Sequence, residues 1–208
     1  MKTEKLAEGL YRILLPFDGS VTTTVYAAVC GDGIVLIDAG TYPADAAEHI
    51  LPSLRALGLS ADKVTHLLLT HDHSDHVGGV AGLLACLPAL AVRAPFPMDV
   101  PRFSLLTDGE VVGGRLQAVF LPGHTDHSLG FLDLKTKTLL SGDCLQLGGV
   151  GKYRSGIYSI SSYRASVARL KEMKISRIVA AHEYEPLGSL AEGGEQVRAY
   201  LDACLAYF

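Results

Sequence analysis

The apolar positions of this chain fall into short blocks whose period changes along the sequence. Leu10 to Leu15 and Thr24 to Cys30 are rich in strand-forming side chains, and Gly31-Asp32-Gly33 reads as a tight hairpin. Ile34-Val35-Leu36-Ile37 follows as a buried strand. Pro43 to Leu57 then shifts to helical spacing. Ala47, Ile50, Leu51, Leu54 and Leu57 share one face, Pro43 suits the first turn and Gly58 the stop. Val64 to Thr70 predicts another apolar strand, and Val77 to Leu87 a short helix ended by Pro88. The second half predicts strands at Ala89–Arg93, Glu110–Val112, Leu116–Leu121, Leu129–Leu134, Thr138–Ser141 and Arg177–Ala181. Between them lie a glycine-rich stretch from Gly148 to Gly156 and an amphipathic helix from Ser161 to Met173, with Val167 and Leu170 inward. A closing helix starts near Ala191. Strands alternating with helices, and no break in composition, predict one layered α/β domain over residues 1–208.

Polar residues with chemistry stand at the ends of these apolar runs. Strand 64–70 ends in His71-Asp72-His73-Ser74-Asp75-His76. His124 follows Val119 to Gly123, Asp143 follows Leu139 to Gly142, and His182 follows Ile178 to Ala181. Imidazole and carboxylate together suit Zn²⁺, Mn²⁺ or Fe²⁺. A loop after a buried strand is also where α/β proteins place ligands.

Composition narrows the classes of partner. The formal charge of −4 argues against non-specific binding to nucleic acid or to an anionic membrane. No run is apolar enough to span a membrane, and no apolar stretch behind Met1 resembles a signal peptide. The four cysteines, Cys30, Cys86, Cys144 and Cys204, are far apart and form no C-x-x-C pair. They read as reduced thiols in a cytoplasmic protein, each acting as a small buried hydrophobe. His66 reads as structural, and His49 as exposed.

The set His71, His73, Asp75, His76, His124, Asp143 and His182, in this order and spacing, resembles the metallo-β-lactamase superfamily. Ile37-Asp38-Ala39-Gly40 resembles the early strand-end Asp motif of that family, so the likeness runs along nearly the whole chain. It implies an αββα sandwich, in the α+β class: two central mixed β-sheets with helices on the outer faces. It implies two divalent metal ions, zinc first, with iron or manganese as alternatives. His71, His73 and His124 would hold one, Asp75, His76 and His182 the other, and Asp143 would bridge them. A hydroxide between the ions would attack the substrate, with Asp75 orienting it or relaying its proton. Asp38 would hold a ligand imidazole or the loop in place, and His127 would stand behind a ligand or face substrate.

Departures from the family pattern select a branch. Asp rather than Cys at position 143 points away from β-lactam cleavage. Pro122-Gly123-His124-Thr125, Leu129-Gly130-Phe131 and the glycine-rich stretch after Asp143 resemble the hydroxyacylglutathione hydrolases (glyoxalase II). By that likeness Lys152 and Tyr153, with Arg154 beside them, would touch substrate; Tyr184 would donate to an oxyanion, as a phenol does in lactone-cleaving relatives of the superfamily. The helical C-terminal extension of that branch has no counterpart in the 208 residues. The expectation is a cytoplasmic dinuclear hydrolase of a small ester, thioester or lactone. It would be a monomer or homodimer whose partner is a small-molecule substrate, not nucleic acid or membrane. The alternatives are a mononuclear iron persulfide dioxygenase of the same fold, or a non-catalytic metal-binding module.

Overall fold

A computed structural model describes residues 2–19, 21–145, 156–183 and 188–206. These fall into two units, residues 1–106 and 107–208, each with its own sheet and core.

The first unit holds a seven-stranded mixed sheet in the order β1 to β7. Its strands are β1 (Lys2–Ala7), β2 (Leu10–Asp18), β3 (Val21–Cys30), β4 (Gly33–Ile37), β5 (Val64–Leu68), β6 (Ala91–Ala94) and β7 (Phe103–Leu105). β1 to β4 pair antiparallel, as short hairpin connections allow. β4 to β7 run parallel, with crossovers between them. Ile34 to Ile37 are buried on both faces, which is why β4 reads as a continuous apolar run rather than an alternating one. The crossover after β4 carries a π-helical turn, Ala46–Ile50, leading into α1 (Leu51–Ala56). The next carries α2 (Ser74–Val77) and α3 (Val80–Cys86). Ile50, Leu54, Val80 and Leu83 pack with Ile13, Leu15, Leu36 and Leu67 in this unit's core.

The second unit holds a six-stranded mixed sheet in the order β13-β12-β11-β10-β9-β8. The strands are β8 (Val111–Val112), β9 (Leu116–Phe120), β10 (Leu129–Asp133), β11 (Thr138–Gly142), β12 (Arg177–Ala180) and β13 (Leu190–Glu192). Among the described residues of this unit only β11 and β12 pair parallel, and α4 (Ile160–Lys171) makes the crossover between them. Ser159 caps α4 by accepting from the Ser162 N–H. Tyr163, Val167 and Leu170 of α4 pack with Tyr200, Leu201 and Cys204 of α5 (Gly194–Ala206) over Leu139 and Ile178.

Several boundaries differ from the pattern-based expectations. The helix expected from Pro43 begins at Ala46, because the Asp45 carboxylate accepts from the Thr41 and Tyr42 N–H groups and holds a turn there. The edge strands β1, β7 and β13 carry no long apolar run, which hid them. β13 takes the start of the expected closing helix. Cys144 and Cys204 are buried in the second core, but Cys30 is half-buried and Cys86 is exposed. His49 is half-buried, with Nε2 3.9 Å from Asp45 Oδ1, rather than exposed and alone. No helix among the described residues is long and apolar enough to cross a membrane.

Candidate metal centre

The first unit gathers His71, His73, Asp75 and His76 just past the C-terminal end of β5. His71 and His76 are buried, with ring centroids 4.1 Å apart, and His71 meets His73 edge-on at 4.6 Å. The motif is not all loop: His73 is the N-cap of α2, which places Asp75 and His76 in a helical turn. Asp75 is buried, and its carbonyl accepts from Thr23 Oγ1 of β3 at 3.2 Å.

Asp38 organises these rings. It lies at the end of β4, fully buried, with a φ of +61° that few non-glycine residues adopt. Strain of this kind persists where surrounding contacts over-determine it. Its Oδ2 accepts from His76 Nδ1 at 2.8 Å. Its Oδ1 accepts from the Thr70 N–H at 2.9 Å, and both oxygens lie within 3.1 Å of Thr70 Oγ1. The Thr70 hydroxyl thus spends its proton on Asp38 and can accept from His71 Nδ1, 3.0 Å away. Two imidazoles are thereby fixed with the proton on Nδ1 and the Nε2 lone pair outward, the tautomer that presents Nε2 to a metal. Thr70 was not among the residues singled out from sequence, although it precedes the His motif directly.

Asp38→Asn tests this arrangement. The amide offers one acceptor, which Thr70 takes, and turns an NH₂ toward His76 Nδ1. The His76 tautomer then reverses. Metal affinity is expected to fall about 10–100-fold, read by competition with a chromophoric chelator. Unchanged affinity would show that the tautomer is held by other means.

The second unit gathers His124, Asp143 and His182, all buried, each just past the end of a strand. His124 Nδ1 donates to the Gly156 carbonyl at 2.5 Å, so its Nε2 also faces outward. Gly123, just before it, has φ +144°, and an added Cβ would lie 2.6 Å from Tyr163 Cα. Only glycine lets the His124 loop approach α4 so closely. Asp143 stands between the two imidazoles, with Oδ2 3.6 Å from His124 Nε2 and Oδ1 3.5 Å from His182 Nε2. In the first unit Asp75 Oδ2 lies 3.3 Å from His76 Nε2.

These distances test the fit to a metal. Ligand atoms held tetrahedrally at about 2.0–2.1 Å from one ion are about 3.3–3.4 Å apart. Separations of 3.3–3.6 Å are long for hydrogen bonds but match that spacing. The donor chemistry, imidazole with carboxylate and no thiolate, suits Zn²⁺, Fe²⁺ or Mn²⁺.

The remaining candidates are placed as follows. His127 is half-buried in the turn that Thr125 and Ser128 close. Lys152, Tyr153, Arg154 and Tyr184 lie outside the described residues. His66, on β5, is half-buried, and burial, with Arg93 nearby, holds its pKa below the usual value. Cys144, one residue from Asp143, packs into the second core.

Comparison with known proteins agrees with this chemistry. The model of the Metallo-beta-lactamase superfamily matches residues 18–95. The lactamase-like protein adaB of Aspergillus niger is 30% identical over 187 residues, covering 87% of this chain and 57% of its own length. The hydroxyacylglutathione hydrolase of Xylella fastidiosa is 35% identical over 125 residues, covering 58% of this chain and 47% of its own. The chain thus spans about half the length of these curated relatives. The solved metallo-beta-lactamase from Pontibacter korlensis superposes with a TM-score of 0.75 at 20% identity, over 98% of both chains. That likeness shows the fold: two mixed sheets with helices, as the αββα expectation required.

Proposed function

Because the chain belongs to the metallo-β-lactamase superfamily, we propose that it is a dinuclear metallohydrolase acting on a small ester, thioester or lactone. The observation that carries this reading is the Asp143 carboxylate, which turns one oxygen toward His124 Nε2 and the other toward His182 Nε2. A carboxylate shared in this way suits a bridging ligand. By the resemblance to that family, His71, His73 and His124 would hold one ion, and Asp75, His76 and His182 the other. The ions, when bound, lower the pKa of water and so supply a nucleophile at neutral pH.

The residues of the chain do the rest. Asp38 and Thr70 keep the His71 and His76 rings in one tautomer, and the Gly156 carbonyl does the same for His124. Asp75, anchored through its backbone to Thr23, presents a carboxylate that can orient the attacking water and hold its proton. Resemblance to the hydroxyacylglutathione hydrolase supports a thioester or ester substrate over a β-lactam. Zinc is the first candidate metal. A small-molecule substrate, a cytoplasmic setting and a monomeric or homodimeric state complete the proposal.

Metal analysis of the purified protein, joined to a panel of thioesters, lactones and phosphoesters, tests it. Two equivalents of metal are expected, with hydrolysis lost to a chelator and restored by Zn²⁺. Full activity in the metal-free protein would overturn the reading. One equivalent of iron with oxygen uptake on persulfides would replace it with the dioxygenase.

A further inference from the structure

The segment that follows Asp38 lies against a face made of glycines. A Cβ added to Gly79 would meet the Ala39 carbonyl oxygen at 1.9 Å; at Gly78 it would meet the Thr41 oxygen at 1.8 Å. At Gly82 it would meet the Pro43 oxygen at 1.9 Å. Every second carbonyl of residues 39–43 therefore rests on a glycine of the α2–α3 region. Gly78 and Gly79 have negative φ, so close approach, not backbone conformation, demands glycine at both. Backbone groups of the segment are also hydrogen-bonded. The Ala39 N–H donates to the His76 carbonyl at 2.8 Å, and the Gly79 N–H donates to the Gly40 carbonyl at 3.2 Å. Asp45 Oδ2 accepts from the N–H groups of Thr41 and Tyr42.

We infer that Gly79 is a positioning residue: it lets segment 38–43 seat directly on the junction of α2 and α3, and this seating sets the Asp38 carboxylate against the His76 ring before any metal binds. Asp38 and His76 are joined twice, by the Nδ1–Oδ2 bond and through the Ala39–His76 backbone bond one residue along. A methyl at position 79 must displace the Ala39 carbonyl, and Ala39 is the residue next to Asp38. Gly82 meets the same segment at its far end, at Pro43, and is not adjacent to either partner. The inference rests on the metal-centre reading, but it predicts a geometry in the metal-free protein as well.

The test compares Gly79→Ala with Gly82→Ala, two substitutions that place equally close contacts on one segment. Two signals are read: metal affinity by chelator competition, and the slowly exchanging His76 Nδ1–H proton by NMR in the metal-free protein. Gly79→Ala is expected to weaken metal binding by about 10–100-fold, as the loss of a partner behind a ligand does, and to lose the His76 proton signal. Gly82→Ala is expected to melt lower by a similar amount but to keep both signals. Equal losses of affinity in the two variants, or an unchanged His76 proton in Gly79→Ala, would overturn the inference. If Gly79→Ala does not fold, Ala39→Gly, which loosens the segment without an overlap, decides: full affinity and an intact His76 signal there would also overturn it. Hydrolysis is not used as a readout, so failure of the proposed reaction leaves this result interpretable.

Discussion

Asp143→Asn is expected to reduce hydrolysis to background, a loss of at least about 10³-fold in kcat/KM, or about 4 kcal/mol of transition-state stabilisation. The substitution keeps the volume of the side chain and removes its charge. It also replaces one of two acceptor oxygens with an NH₂ group, which has no lone pair for a metal. Oδ1 and Oδ2 each lie within 3.6 Å of a different imidazole Nε2, so whichever atom becomes nitrogen, one pair of donors is broken. His73→Ala should give the same phenotype from the first unit, where its ring lies against His71. Both metal-free variants should melt within a few degrees of the metal-free parent, since neither change opens a core position: His73 is half-buried, and Asn at 143 is isosteric. Retained hydrolysis in Asp143→Asn, with two metals still bound, would remove the bridging role.

The candidate site was legible because each of its parts sits where a pattern ends. Buried strands give apolar runs with no polar interruption, so a His or Asp at the tip stands out. His124, Asp143 and His182 were found in this way beyond β9, β11 and β12. What the pattern could not give is pairing at a distance. Asp38 is 32 residues from Thr70 and 38 from His76, and nothing local distinguishes a strand-end carboxylate that turns a chain from one that fixes two rings. The helical turn Ser74–Val77 was missed because four residues of a ligand motif carry no apolar period. The same holds for glycine. Gly78 and Gly79 are visible as letters, but the carbonyls they accommodate come from a segment some forty residues earlier.

The buried pair Arg115–Asp133 was equally invisible from sequence, and its loss is expected to have the largest effect on stability. Asp133, at the end of β10, is fully buried, and Arg115, just before β9, is 7% exposed. The guanidinium bonds the carboxylate twice, Nε to Oδ1 at 2.9 Å and Nη2 to Oδ2 at 2.6 Å. The Lys135 N–H and the Thr136 hydroxyl donate to the same carboxylate at 3.0 and 2.7 Å. Burial pushes the Asp133 carboxyl up, but Arg115, Thr136 and Lys135 outweigh it and hold it below the usual range. Arg115→Ala leaves this anion buried without its cation. That change costs about 3–5 kcal/mol, or about 6–20 °C in Tm for a chain of this size. The pH dependence gives the sign. A carboxyl whose folded pKa is depressed stabilises the fold above its unfolded pKa, and that contribution is lost as pH falls through the folded value. The parent therefore loses this stability in acid. In Arg115→Ala burial acts without the guanidinium, so Asp133 takes up its proton at higher pH and the variant is relieved. The gap in Tm between the two should be widest at neutral pH and should narrow through the carboxylate range. Thermal melts of both proteins across that range test it, and a gap that stays constant would show that the cost comes from lost packing rather than from the unpaired charge. Replacing both residues, Arg115→Met with Asp133→Leu, should restore most of the stability, because no buried charge then remains.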